Sequence, residues 1–289
     1  MPRLSTSSKK KLSMKKHKYF FISLIIVAIA VFAAVLLIKP TEEDSYDCVI
    51  FGDSIVAGEH NEFGLVPKIE ERTGLKILNA GFGGLTMSNF DDEHLMSNAS
   101  KSFTMARLSE AVFNKDFTLQ ILAGQKENIY VMDYFYTTAM ELDRVNWESV
   151  RYVIIEHGAN DYLLGVPLDD VDDPYNTETF GGALRFSVKN LTEALSNAKI
   201  IVMTPIYNNP DGLEGDSNTS DYGGGLLKDY VDKEKEIAEE FGIYVIDNFT
   251  NIDINADNYE DYIPGGLHPN TEGMYLISDE VKKFFDELD

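Results

Sequence analysis

Apolar positions fall along this chain in three textures. Residues 19–38, YFFISLIIVAIAVFAAVLLI, form one run of twenty residues without a charge. At about 1.5 Å of rise per residue such a run crosses the roughly 30 Å hydrocarbon core of a bilayer, so it predicts a transmembrane helix. Short β-branched bursts then recur at 47–51 (DCVIF), 75–78 (LKIL), 152–156 (YVIIE), 200–204 (IIVMT) and 243–246 (IYVI), and read as buried strands. Amphipathic stretches at 183–197 and 226–241 lie between the last three, the second closed by Gly242 as a helix C-cap. In 271–288, Met274, Ile277, Val281, Phe284, Phe285 and Leu288 keep helical spacing and predict a core-facing stripe. About five buried strands joined by helices imply an α/β fold, a parallel sheet covered on both faces.

The pattern divides the chain into a basic tail (1–18), the apolar helix (19–38), a short polar linker (39–46) and one large domain (47–289). Residues 85–147, between the second and third strands, exceed what a minimal fold needs; this insertion contains helix-like pieces such as 103–113 and is expected to cap the strand ends. The acidic segment 168–180, LDDVDDPYNTETF, reads as a loop.

Charge changes the picture in two ways. The first forty residues carry eight basic and no acidic side chains, so the remainder holds 17 bases against 48 acids, a net of −31. Lysines ahead of the apolar run predict a cytoplasmic N-terminus and an extracytoplasmic domain at the cell membrane. A cleaved signal peptide is the alternative, with Ala28-Ile29-Ala30 as the site, but cleavage there leaves VFAAVLLI exposed and an uncleaved anchor is favoured. A surface this acidic repels phosphate backbones, which excludes nucleic acid as a natural partner. Cys48 is the single cysteine, has no internal disulfide partner and fits a buried strand start.

In open α/β sheets, ligands bind outside the carboxyl ends of the strands, and here the polar motifs collect at those ends. FGDSIVAG (51–58) follows the first burst, NAGFGGLT (79–86) the second and EHGANDYL (156–163) the third, while IPGGLHPN (263–270) precedes the last helix. Any one of them alone fits a capping serine or a tight turn. Together, and in this order, they resemble the four blocks of the SGNH branch of the GDSL-type esterases and lipases. The resemblance implies a three-layer α/β/α flavodoxin-like hydrolase fold that needs no cofactor. It implies Ser54 as nucleophile, His268 as base, and Gly84 and Asn160 as oxyanion-hole donors beside the Ser54 N–H.

Those residue types suit the chemistry. A serine hydroxyl attacks an ester only when an imidazole takes its proton and later returns it to the leaving alcohol. One departure stands out: the family's acid usually lies three residues before the histidine, where this chain has Gly265. Three outcomes stay open. A backbone carbonyl near Gly265 supports a Ser–His dyad, Asp257 or Asp261 substitutes for the acid, or the site is weakened. His17, His60, His94 and His157 compete less well for the base, with His157 the strongest rival. Asp253 to Asp257 alternate like the start of a calcium loop, but Asn258 and Pro264 stand where that loop needs Gly and Glu. The expected activity is ester hydrolysis through an acyl-enzyme on a small acyl group, such as acetyl, carried by an envelope or extracellular glycan. The alternatives are acyl transfer to a sugar hydroxyl and glycan binding without turnover.

Overall fold

The computed structural model describes residues 45–58, 60–90, 97, 99–126 and 130–288, all within the compact unit Asp44–Asp289. The tail and transmembrane helix expected at 1–38, and His17 and His94, lie outside the described residues. Among the described residues no helix is long and apolar enough to cross a membrane.

Five parallel strands, β1 (Cys48–Gly52), β2 (Ile77–Gly81), β3 (Tyr152–Glu156), β4 (Lys199–Met203) and β5 (Tyr244–Ile246), run in the order β2-β1-β3-β4-β5. All five apolar bursts are strands. The second is displaced along the chain: Gly74 at φ 72° closes the preceding helix, and pairing with β1 carries the strand through Asn79 to Gly81. Because β2 lies on one side of β1 and β3 on the other, the order reverses at β1, and the crevice beyond the ends of β1 and β3 is the natural ligand position.

Alternate residues enter two cores. Val49 and Phe51 of β1, Leu78 and Ala80 of β2, and Val153 and Ile155 of β3 face one side. There they meet α3 (Met105–Asn114), α5 (Asp133–Arg144), α7 (Phe180–Ala194) and α8 (Leu227–Phe241). Cys48, Ile50, Ile154 and Ile201 face the other, against α1 (Ser54–Ala57), α2 (Leu65–Thr73) and α11 (Thr271–Leu288). This produces three layers, with the period-two alternation of each strand deciding which core a side chain joins.

Among the described residues of 85–147, α3 packs on the sheet face, while Tyr134 and Met132 lie against Gly83 beyond the end of β2. Ala106, Leu108 and Val112 of α3 are buried in the same core as Ala183, Leu184 and Val188 of α7, so α3 belongs to the layer on the sheet face. Between α3 and α5 lies α4 (Thr118–Gly124), whose Gly124 admits the α5 backbone: a Cβ there would sit 2.8 Å from the Tyr136 Cα. The loop at 168–180 is held by its acids. Asp169 pairs with Arg185 at 2.8 Å and with Lys233 at 2.6 Å, and Asp170 accepts the Asp172 N–H at 2.9 Å.

Candidate active site

The turn that carries Ser54 is built on two glycines. A Cβ on Gly52 would lie 2.3 Å from Val56 Cγ2, and one on Gly81 would lie 2.3 Å from the Ala57 nitrogen. Their absence lets α1 settle directly on the ends of β1 and β2. Asp53 caps that short helix, its Oδ1 accepting the Ile55 N–H at 2.8 Å. Asn79 closes the other end, donating from Nδ2 to the Val56 carbonyl at 3.0 Å and accepting the Gly81 N–H on Oδ1 at 3.0 Å. Ser54 is therefore fixed at the first residue of a helix trapped between two strand ends.

His268 meets it from the far end of the sequence, with Nε2 2.8 Å from Ser54 Oγ. The histidine loop is anchored on both sides. Asn270 donates to the Asp261 carbonyl at 2.8 Å and accepts the Gly273 N–H at 3.0 Å, joining α10 (Tyr259–Tyr262) to the first turn of α11. Upstream, Gly265 and Gly266 sit at φ 81° and 76°, and their carbonyls accept the Asp211 N–H at 3.1 Å and the Asn209 N–H at 2.7 Å. Partial desolvation of its ring, although the residue faces solvent, holds His268 below its ordinary 6.5, so the neutral ring is the favoured form and can accept a proton.

With Nε2 toward the serine, the ring's own proton belongs on Nδ1. Among the described residues no carboxylate or carbonyl accepts a hydrogen bond from it. Asp261 contributes its backbone carbonyl to Asn270, the Asp257 N–H turns to Asn255 Oδ1, and Gly265 spends its carbonyl on Asp211. None of the acceptors considered from the sequence makes that bond, and the geometry is that of a Ser–His pair.

Beyond the end of β2, Phe82 to Leu85 form a turn closed by the Leu85 N–H to the Phe82 carbonyl at 3.3 Å, with Gly84 at φ 75° in its third position. That conformation asks for glycine. Gly84 is exposed, and a Cβ added to it would meet nothing within 4 Å, so this face of the turn is open. Asn160, in α6 (Ala159–Leu163), lies alongside; its Nδ2 donates to the Leu85 carbonyl at 2.9 Å and to Asp53 Oδ2 at 3.2 Å. The structure thus brings Ser54 against His268, and Asn160 against both the Ser54 turn and the glycine turn.

Buried ionisable groups support the mouth. Asp161 accepts the Met87 N–H at 2.8 Å and the Ser88 N–H at 3.1 Å, and burial pushes its carboxyl up to about 6. Burial also raises Asp53 and Glu156, each opposed further by a neighbouring acid's charge. His157 is fully buried and pushed down to about 3 by that burial; it is a neutral core residue, and the partner of Ser54 Oγ is His268. His60 is half-buried and directs Nε2 to the Gly81 carbonyl at 3.2 Å. Among the described residues no group of three or more His, Cys, Asp or Glu is arranged to hold a metal.

A doubly wound parallel sheet with a serine–histidine pair at its switch point is an arrangement that suits a hydrolase. Residues 50–276 match the GDSL-like lipase/acylhydrolase family, and the chain belongs to it. It is a carboxylic ester hydrolase. Among solved structures it is similar to a protein from Lactobacillus plantarum, at 18% identity and a TM-score of 0.61, over 84% of this chain and 98% of that one. A possible lipase from Chitinophaga pinensis DSM 2588 superposes with a TM-score of 0.54 at 18% identity, over 84% and 98% of the two chains. These likenesses establish the shared fold. No curated protein matches the chain in sequence.

Proposed function

We propose that Ser54 is the nucleophile and His268 its general base, that Gly84, Asn160 and the Ser54 N–H receive the oxyanion, and that the substrate is a small acyl ester on a glycan. The observation that carries this reading is the 2.8 Å contact between Ser54 Oγ and His268 Nε2 at the carboxyl edge of the sheet. Oγ adds to the ester carbonyl as its proton passes to Nε2. The tetrahedral intermediate places negative charge on the former carbonyl oxygen, where each preorganised donor is worth about 2.7–4 kcal/mol. Collapse breaks the ester C–O bond, and Nε2 protonates the departing alcohol. Water then repeats the sequence on the acyl-enzyme, releasing the carboxylic acid and regenerating Ser54.

An exposed Gly84 and an exposed His268 place the reacting atoms at an open surface, which admits an acyl group mounted on a bulky carrier. The net −31 outside the first forty residues disfavours anionic polymers and favours a neutral glycan. The apolar run 19–38, preceded by lysines, would hold the domain on the outer side of the cell membrane. Protease added to intact cells should then cleave the domain.

Fluorophosphonate should label the purified full-length protein at Ser54, and Ser54→Ala should abolish both labelling and p-nitrophenol release from p-nitrophenyl acetate. A folded wild-type chain that stays unlabelled overturns the assignment. Acetate release from acetylated glycans, compared with longer acyl esters, tests the substrate class.

A further inference from the structure

The glycine turn that presents Gly84 has no side chain of its own at Gly83 or Gly84 with which to hold its shape, and glycine backbones are the least restrained of all. The structure supplies the restraint from elsewhere. The Gly83 N–H donates to the Tyr134 hydroxyl at 3.0 Å. A Cβ on Gly83 would lie 3.0 Å from that same oxygen and 3.2 Å from Met132 Cε, so residues 132–134 cover this side of the turn. Two residues back, the Gly81 carbonyl faces His60 Nε2 at 3.2 Å. The two anchoring side chains also touch one another, the rings of His60 and Tyr134 lying 4.2 Å apart at 31°.

Between these points the Phe82 ring is locked in the core, 4.8 Å from Phe103 and 5.0 Å from Phe135, which are 4.9 Å from each other. Residues 81–83 are therefore gripped at a carbonyl, a ring and an N–H in succession. Gly84 is the next residue.

We infer that Tyr134, braced by His60, is a positioning residue for ester cleavage, its hydroxyl setting the Gly83–Gly84 peptide where the oxyanion donor must lie. The inference rests on the esterase reading above, since it assigns the clamp a role only if Gly84 receives an oxyanion. It also attaches a task to the 85–147 region, whose helix α5 carries Tyr134. Donors act over a narrow window of about 2.7–3.1 Å, and complete loss of one costs about 10²–10³-fold in kcat. A donor left in place but loosened loses part of that.

Tyr134→Phe removes one oxygen and keeps the ring against His60. The expected result is a kcat for p-nitrophenyl acetate lowered roughly tenfold with KM nearly unchanged, and fluorophosphonate labelling slowed in proportion. Tyr136→Phe, on the same helix, should leave both at wild-type values. His60→Gln keeps a donor near the position of Nε2 and should retain more kcat than His60→Ala. Thermal midpoints measured on every variant separate positioning from folding, because a role confined to stability would lower Tm and leave the kcat of the folded fraction unchanged. An active wild type with Tyr134→Phe at full kcat and full labelling rate overturns the clamp alone. A wild type that neither labels nor turns over removes the esterase reading and the clamp with it.

Discussion

Asn160 binds Asp53 through its longer hydrogen bond, 3.2 Å from Nδ2 to Oδ2, while the same nitrogen holds the Leu85 carbonyl at 2.9 Å. Both amide hydrogens are thus occupied within the chain. In the proposed mechanism an oxyanion at Ser54 competes with Asp53 for the more weakly held one, and the bond to Leu85 keeps the amide aimed during the exchange. Asn160→Ala is expected to lower kcat about 10²–10³-fold with a small change in KM, read from steady-state hydrolysis of p-nitrophenyl acetate.

Asp53 serves the helix as well as the amide. Asp53→Ala removes the cap on Ile55 and the second tie on Asn160, so it should lower both stability, by about 1 kcal/mol, and kcat. Asp53→Asn keeps an acceptor oxygen for the cap and should recover most of the stability. Denaturant midpoints measured beside kcat separate the two effects.

The acid limb of kcat/KM reports the base. Since partial desolvation of the ring lowers His268 from 6.5, and in the proposed mechanism only the neutral ring accepts the serine proton, activity should rise with pH through a midpoint below 6.5 and then level off. A carboxylate held against Nδ1 would raise that midpoint. A limb centred above 6.5 would show that an acid joins the site in solution.

Restoring the family's acid at its usual place should not help. Gly265 occupies φ 81°, and a Cβ there would come 3.8 Å from Asp211 Oδ2, so Gly265→Asp sets two carboxylates together on a strained backbone. A loss of roughly 1 kcal/mol of stability and no gain in kcat are expected. A gain in kcat would mean that the turn can reorganise to accept the acid.

Glu234 predicts how stability varies with pH. It is fully buried, and burial, then the charges of Glu156, Asp161 and Asp247, raise its carboxyl well above 4.5 against the weaker pull of Lys235. From 4.5 up to its raised value the folded chain keeps a proton that the unfolded chain has released, so this group's contribution falls by about 1.4 kcal/mol per pH unit as pH rises. Glu234→Gln cannot ionise. It should match wild type near pH 4 and exceed it at pH 8, by roughly 2–4 °C in Tm for each kcal/mol, as thermal scans across pH would show.

The sheet was legible because β-branched bursts between helical stretches have few other readings, and Ser54 and His268 were legible because their neighbours are as characteristic as they are. Tyr134 and His60 were not. The bond from Gly83 to Tyr134 spans 51 positions, and nothing in the local pattern of α5 separates a tyrosine that touches the glycine turn from one that faces water. The place of α3 was hidden for a related reason: amphipathic spacing states that α3 buries one face, but not that α7 is what it buries that face against. Closeness in sequence to His268 does not make a residue its partner: the nearby carbonyls of Asp261 and Gly265 are committed to Asn270 and Asp211.

The two hydrogen bonds from Asn209 and Asp211 to the glycine carbonyls before His268 couple segments more than fifty residues apart. The loop after β4 supplies neither the proposed nucleophile nor the proposed base, yet it holds the segment that leads into His268. Its length and its Asn-Pro-Asp-Gly turn are therefore constrained by catalysis from a distance. An insertion or deletion there would shift the imidazole relative to Ser54 while leaving every reacting residue in place, a form of inactivation invisible to inspection of the motifs alone.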